Sequence, residues 1–168
     1  ALLGGWLRRQ TESVAAEAHA AGRPLNVGTV SSLMLRIANI DVPPGAGKEF
    51  WSHELPSRAL EALLDGQSNF DSCDLLILDE AQDLMTDEIL DVLDVITSGG
   101  LAGGRWVMFG DFERQAIYAN ADAQPGLGRI RARTGTGFST YPLRINCRNT
   151  RSIAAAVTLT SGLAPGYT

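Results

Sequence analysis

The sequence predicts an α/β fold with a mostly parallel sheet and helices on both of its sides. Two short apolar runs carry this prediction, one at residues 75–78 and one at residues 106–109. Unbroken runs of this length are typical of strands that are buried on both faces, as in parallel sheets. Between them, residues 86–97 have apolar side chains at helical spacing, which predicts a helix.

Length and composition are those of a globular domain with a core of its own. The chain has 168 residues, of which 45% are apolar and 20% charged. It has no apolar run near the ~20 residues of a membrane helix and no pattern of a signal peptide. Its two cysteines give no disulfide framework, which favours a reducing cytoplasm. Because it opens at Ala1 and not at Met, we expect a piece of a longer protein.

Charge is divided unevenly along the chain. All 19 acidic residues lie at or before Asp122, whereas residues 129–168 contain six arginines and no acid. Arginine suits phosphate recognition, because its planar guanidinium binds two oxygens at once. The alternative is a basic segment that pairs with the acidic body of the same protein. The sequence alone leaves both interpretations open.

The remaining elements follow from helical spacing, alternation and Gly or Pro breaks. The predicted elements are a helix at 3–21, a strand at 25–30, a helix at 33–38 capped by Ser31 or Ser32, a loop at 39–49, a helix at 50–64 with a kink or a restart at Pro56, a loop at 121–138, a strand at 140–145 and a helix at 150–159.

Carboxylates follow both apolar runs. Asp79 and Glu80 come directly after the first run, and Asp111 comes shortly after the second. Open α/β sheets bind ligands beyond the carboxyl ends of their strands, so acids at these points suggest chemistry. An Asp there can hold Mg²⁺, which prefers oxygen ligands. The next carboxylate can orient or deprotonate a water. The alternative is a solvated acidic turn.

One glycine-rich segment invites comparison with a phosphate-binding loop and does not fit. That loop has the pattern Gly-x-x-x-x-Gly-Lys-Ser/Thr. With Gly47 and Lys48 in place, the first glycine would be Val42 and the hydroxyl residue would be Glu49. The hydroxyl that binds Mg²⁺ is therefore missing, and no other Gly-Lys pair occurs in the chain. These residues contain no such loop.

Three stretches resemble motifs of the UvrD-like superfamily 1 helicases, in the family's order. Residues 75–83 resemble motif II, the Walker B element, and residues 109–118 resemble motif III through Phe-Gly-Asp and Gln-Ala-Ile-Tyr. Residues 143–149 resemble motif IV, whose pattern is Leu-x-x-Asn-Tyr-Arg-Ser. Cys147 and Asn149 replace the Tyr and the Ser of that pattern.

The resemblance implies a three-layer, mostly parallel RecA-like (P-loop NTPase) sheet that is incomplete, because the P-loop strand is missing. Residues 1–138 would form a partial motor domain with motifs Ib, II and III. Residues 139–168 would carry motif IV and begin the second motor domain. In the family, the motif III strand lies between the P-loop strand and the Walker B strand. We therefore expect residues 106–109 to lack a partner along one edge.

The same resemblance implies a Mg²⁺-dependent ATPase, with ATP and Mg²⁺ as cofactors. Asp79 would hold the metal and Glu80 would be the general base. Gln115 would contact the terminal phosphate or orient water, as Gln does in several nucleotide hydrolases. Arg148 would act as an arginine finger on transition-state charge. The alternative for Arg148 is a surface arginine paired with the acidic body.

Two residues would contact nucleic acid, which we expect to be single-stranded DNA, with RNA left open. Thr29 takes the place of the motif Ib threonine, which touches the DNA backbone in the family. Tyr118 takes the place of the tyrosine that lies toward DNA. Each has a structural alternative: a helix-capping turn for Thr29, and a half-buried ring for Tyr118.

The expected function is therefore ATP hydrolysis coupled to movement on single-stranded nucleic acid, in a protein of which this chain is a part. The chain alone is expected to be inactive. The rival function is a non-catalytic module that binds nucleic acid or protein and keeps a degenerate NTPase fold. A phosphate-binding loop in the sequence before Ala1 would favour the ATPase, and its absence there would favour the rival.

Overall fold

The computed structural model describes residues 2–112, 126–135, 137–141, 152, 156 and 159. The chain divides into two compact units, Ala1–Thr136 and Gly137–Thr168. The elements of the first unit are α1 (Leu2–Gln10), α2 (Glu12–Ala20), α3 (Val30–Ala38), a π-helical turn (Phe50–Glu54), α4 (Leu55–Leu64), β1 (Leu76–Leu78), a 3-10 turn (Ala81–Leu84), α5 (Asp87–Ile96), α6 (Gly100–Gly103), β2 (Trp106–Met108) and α7 (Gly126–Thr134). In the second unit, residues 137–141 have no regular secondary structure, and residues 152, 156 and 159 are helical.

The sheet of the described residues consists of two parallel strands. β1 pairs with β2 in the register Leu76 to Trp106, Ile77 to Val107 and Leu78 to Met108. α5 and α6 form the crossover between the two strands, as a parallel pair requires. The prediction of a mixed α/β fold with parallel pairing is confirmed at this level.

The second edge of β2 has no strand beside it within the described residues, where β1 is its strand neighbour. Residues 2–20 form α1 and α2 and supply no strand. The expectation that residues 106–109 lack a strand neighbour along one edge stays a prediction.

Helix α5 is the centre of the core, and its bounds agree with the predicted helix at 86–97. Leu90, Val92 and Leu93 are fully buried. Thr86 caps the helix, because its hydroxyl accepts from the backbone N–H of Ile89 at 3.4 Å. Asp87 and Glu88 lie in the first turn, where the helix dipole favours negative charge.

The prediction that the strand at 75–78 is buried on both faces is wrong. Leu76 and Leu78 are buried, whereas Leu75 is 49% exposed and Ile77 is 60% exposed. Successive side chains of a strand point to opposite faces, so one face of β1 belongs to the core and the other is open. Val107 is the register partner of Ile77 and is also exposed.

The predicted strand at 25–30 is not formed. Residues 23–29 are irregular, and α3 begins at Val30, earlier than the predicted start. The cap is Thr29, not Ser31 or Ser32: its hydroxyl accepts from the backbone N–H of Ser32 at 3.1 Å. The segment's backbone also bonds outside any sheet, since Arg8 Nε donates to the Val27 carbonyl at 2.9 Å. The alternation in this segment therefore does not produce a strand.

Two predicted helices occur with interruptions. The helix expected at 3–21 divides at Thr11 into α1 and α2. The helix expected at 50–64 begins as the π-helical turn and continues as α4, with Pro56 in the first turn of α4. Proline has no N–H to donate and is tolerated in a first turn. The rings of Phe50 and Trp51 meet edge to face at 5.0 Å, and Phe50 is buried, which agrees with a core role.

The predicted loop at 121–138 is wrong for residues 126–134, which form α7. Ile130 and Thr134 are buried, four residues apart on one face of this helix. Arg129 Nη1 donates to the Met85 carbonyl at 2.9 Å. The Arg133 guanidinium forms ion pairs with Asp91 and Asp87. For these two arginines the alternative of pairing with the acidic body is confirmed.

The ion pairs of Arg133 join α7 to α5. Burial alone would lower the pKa of Arg133, but its hydrogen bonds to Asp91 and Asp87 outweigh this effect and raise that pKa above its usual value. The side chain of Arg133 is 23% exposed, and those of Asp87 and Asp91 are 63% and 43% exposed. The network is therefore partly solvated and holds a helix that has little apolar surface of its own.

Arg133→Ala is expected to lower the free energy of unfolding by about 1–2 kcal/mol, between the value of a surface ion pair and that of a charged hydrogen bond. The reason is that α7 loses its ionic contacts with Asp87 and Asp91. Urea denaturation of the chain measures the change. Arg9→Ala, an exposed helical arginine, is the control for charge and helix propensity. An equal effect of both variants would show that the pairs do not stabilise the fold.

Candidate functional site

Backbone hydrogen bonds join the residues that follow the carboxyl ends of β1 and β2. Phe109 N–H donates to the Leu78 carbonyl at 2.8 Å, and Ala81 N–H donates to the Phe109 carbonyl at 2.9 Å. Because the strands are parallel and in register, their carboxyl ends meet at one edge. Asp79 and Glu80 leave β1 at this edge, and Asp111 follows β2 there. The structure thus places at one edge of the sheet the backbone positions of the acids that follow the two strands.

Glu80 has a backbone conformation that non-glycine residues rarely adopt. Its φ is 51° and its ψ is 39°, in the left-handed region. Its N–H donates to Asp79 Oδ1 at 3.0 Å. Such a conformation costs about 1 kcal/mol or more and persists only where the surroundings hold it. It turns the chain sharply after β1 and leaves both Asp79 and Glu80 exposed.

Gln82 is a member of the site to which the sequence analysis assigned no role. Its Nε2 donates to Glu80 Oε2 at 2.7 Å. Its Oε1 accepts from the backbone N–H of Asp111 at 3.0 Å. One side-chain amide therefore bridges the turn after β1 and the turn after β2. The Asp-Glu-Ala-Gln pattern was the available signal, since it places an amide two residues after the proposed base.

A protein-only metal cage is not present in the described residues, where no group of three or more His, Cys, Asp or Glu side chains could hold a metal ion. This arrangement still fits Mg²⁺, which keeps several waters and is often held by one or two carboxylates together with substrate phosphates. Asp79 is the exposed carboxylate at the strand end and is suited to that role. The role of Asp79 as a Mg²⁺ ligand therefore stays a prediction.

Of the other predicted site residues, Gln115, Tyr118 and Arg148 fall outside the described residues. Thr29 lies at the start of α3, where its hydroxyl caps the helix, so the capping alternative describes its local role. A DNA contact of Thr29 stays a prediction.

Two further polar groups have shifted pKa values and do not belong to the site. The pKa of Glu88 is lowered, first by its own backbone N–H and then by its hydrogen bond with His53, at 2.9 Å. Burial raises the pKa of the Cys73 thiol. A raised pKa keeps this thiol protonated, which makes it a poor nucleophile.

Comparison of the chain with protein-family models, with curated proteins and with solved structures gave no match. Among the described residues, no helix has the length and apolar character needed to cross a membrane.

Proposed function

We propose that this chain is part of the ATP-hydrolysing motor of a superfamily 1 helicase or translocase. One observation carries the proposal: Asp79, Glu80 and Asp111 follow the carboxyl ends of two paired parallel strands, and Gln82 joins the Glu80 side chain to the Asp111 backbone. Nucleotide-binding α/β proteins place their ligands at this edge. The order of the sequence motifs agrees with the proposal.

In this proposal the two carboxylates that follow β1 have one role each. Asp79 holds Mg²⁺, which when bound neutralises charge on the phosphates. Glu80 accepts a proton from the attacking water or orients it. Gln115 contacts the terminal phosphate, and Arg148 stabilises the charge that develops on it. The RecA-like fold, the division into two motor domains near residue 138 and a cytoplasmic location belong to the same proposal.

Single-stranded DNA is the proposed track, and RNA is compatible with the same contacts. Thr29 would contact the nucleic-acid backbone, and Tyr118 would lie toward the bases. The N-terminus of α3 adds backbone N–H groups beside Thr29, which suit a phosphate. These contacts would couple hydrolysis to movement along the strand.

A non-catalytic binding module is the second candidate, favoured by one observation. The 168 residues contain no Gly-x-x-x-x-Gly-Lys-Ser/Thr pattern. That loop supplies the N–H groups and the lysine that hold the β- and γ-phosphates. The ATPase therefore requires a loop supplied by a longer protein, whereas the binding module does not.

Phosphate release distinguishes the two functions. The chain alone is expected to release phosphate from Mg-ATP at the background rate, because it lacks the phosphate-binding loop. The longer protein is expected to hydrolyse ATP, with stimulation by single-stranded DNA. Release by the chain alone that Glu80→Gln abolishes would contradict the first expectation. A longer protein without turnover would favour the binding module.

A further inference from the structure

We propose that Gln82 is a positioning residue that couples the Glu80 carboxylate to the backbone that follows β2. The inference rests on the proposed function for the meaning of Glu80, but the coupling is a property of the chain by itself. A change in the hydrogen bond to Glu80 then alters the hydrogen bond from Asp111 N–H, and the reverse also holds. This makes the amide a link between the proposed base and the segment that leads to Gln115.

The two hydrogen bonds of Gln82 have opposite directions, and this is why they act together. Its NH₂ group donates to Glu80 at 2.7 Å, and its carbonyl oxygen accepts from Asp111 N–H at 3.0 Å. A planar amide cannot turn one end without moving the other. Linked donors and acceptors also polarise one another, so each bond strengthens its partner.

Gly110 gives independent support, because the backbone beside it is shaped to admit the amide. A Cβ at residue 110 would lie 2.5 Å from Gln82 Oε1 and 3.1 Å from Gln82 N. Any larger residue would therefore push Gln82 away from Asp111. The close approach of this side chain to the turn after β2 requires a glycine at this position.

The hydrogen bond from Gln82 to Glu80 helps to hold the strained turn after β1. The left-handed conformation of Glu80 needs support from its surroundings. Gln82 supplies part of that support, together with the bond from Ala81 N–H to the Phe109 carbonyl. A ligand that draws Glu80 toward itself would compete with Gln82 for the carboxylate. It would then loosen the amide's bond to Asp111.

Amide hydrogen exchange at Asp111, followed by NMR on the chain without nucleotide, tests the coupling. Gln82→Ala is expected to speed exchange by roughly fivefold, the equivalent of one lost hydrogen bond. Gln82→Glu keeps an acceptor for Asp111, but it cannot donate to Glu80 and it sets two carboxylates against each other. If the two ends are coupled, exchange at Asp111 should speed up in this variant too, by less than in Gln82→Ala. Gly110→Ala should speed exchange as Gln82→Ala does. Gly47→Ala is the control, since nothing lies within 4 Å of its added Cβ.

Variants of Glu80 decide whether the two ends are coupled. Glu80→Ala removes the acceptor and is expected to speed exchange at Asp111 by about twofold or more, through the weakened Gln82 bond. Glu80→Gln keeps an acceptor and should restore the wild-type rate. Unchanged exchange in Glu80→Ala beside fast exchange in Gln82→Ala would overturn the coupling. Unchanged exchange in Gln82→Ala would overturn the contact itself. The amide of Leu90 reports whether each variant is folded.

Turnover in the longer protein gives the functional readout. Gln82→Ala is expected to lower kcat by about tenfold while leaving the Kd for ATP nearly unchanged, as loss of a supporting contact does. A raised Kd at constant kcat would overturn a positioning role. The exchange experiment needs no nucleotide, so it tests the Gln82 coupling independently of ATP hydrolysis. If exchange at Asp111 shows the coupling but the longer protein has no ATPase activity, the proposed function is refuted and the role of Gln82 as a link between Glu80 and Asp111 is not.

Discussion

If the proposed function is right, Glu80→Gln is expected to lower ATP turnover by a protein that contains this chain and a phosphate-binding loop, by roughly 10²- to 10⁴-fold, the contribution of a general base. The substitution removes the basic oxygen but keeps the shape of the side chain and an acceptor for Gln82. Nucleotide affinity should therefore stay close to that of the wild type. Single-turnover kinetics and equilibrium binding of ATP measure the two quantities separately.

Glu61→Gln is the matched control for this prediction. Glu61 is an exposed glutamate of α4, and its substitution by Gln removes the same charge as Glu80→Gln does. A fall in turnover of less than about tenfold in Glu80→Gln would lie outside the range of general-base catalysis and would contradict the assigned role. Equal effects of the two variants would point to net charge as the cause.

Arg148→Ala is expected to lower turnover by about 10³-fold, in the range of other arginine fingers. The guanidinium would act mainly on charge that develops in the transition state, so kcat should fall much more than ATP affinity. Steady-state kinetics at saturating ATP, with Arg23→Ala as an exposed control, tests this expectation. Unchanged kcat with a raised KM would identify a ground-state binding contact instead.

Local sequence patterns determined β1, α5 and β2. The apolar runs at 75–78 and 106–109 are short and unbroken, and the helix between them has its cap and its acids in the right turn. Each of these signals lies within a few residues of the element that it predicts. For the same reason the position of Asp79 and Glu80 at a strand end was available from the sequence.

Only the tertiary structure decided α7 and the irregular segment before α3. Residues 126–134 contain few apolar side chains, and the contacts that hold them involve Met85, Asp87 and Asp91, about forty positions earlier. At residues 25–30 the alternation predicts a strand, but Thr29 caps a helix and the Val27 carbonyl accepts from Arg8. No local pattern contains those partners.

The site divides in the same way. Its acids follow from the sequence, because a strand end and a carboxylate are neighbours along the chain. The bridge made by Gln82 could not be predicted, since Asp111 is 29 residues from Gln82 and the amide reaches it only when β1 and β2 pair in register. The need for glycine at position 110 likewise arises from a side chain that the fold, and not the local sequence, brings against it.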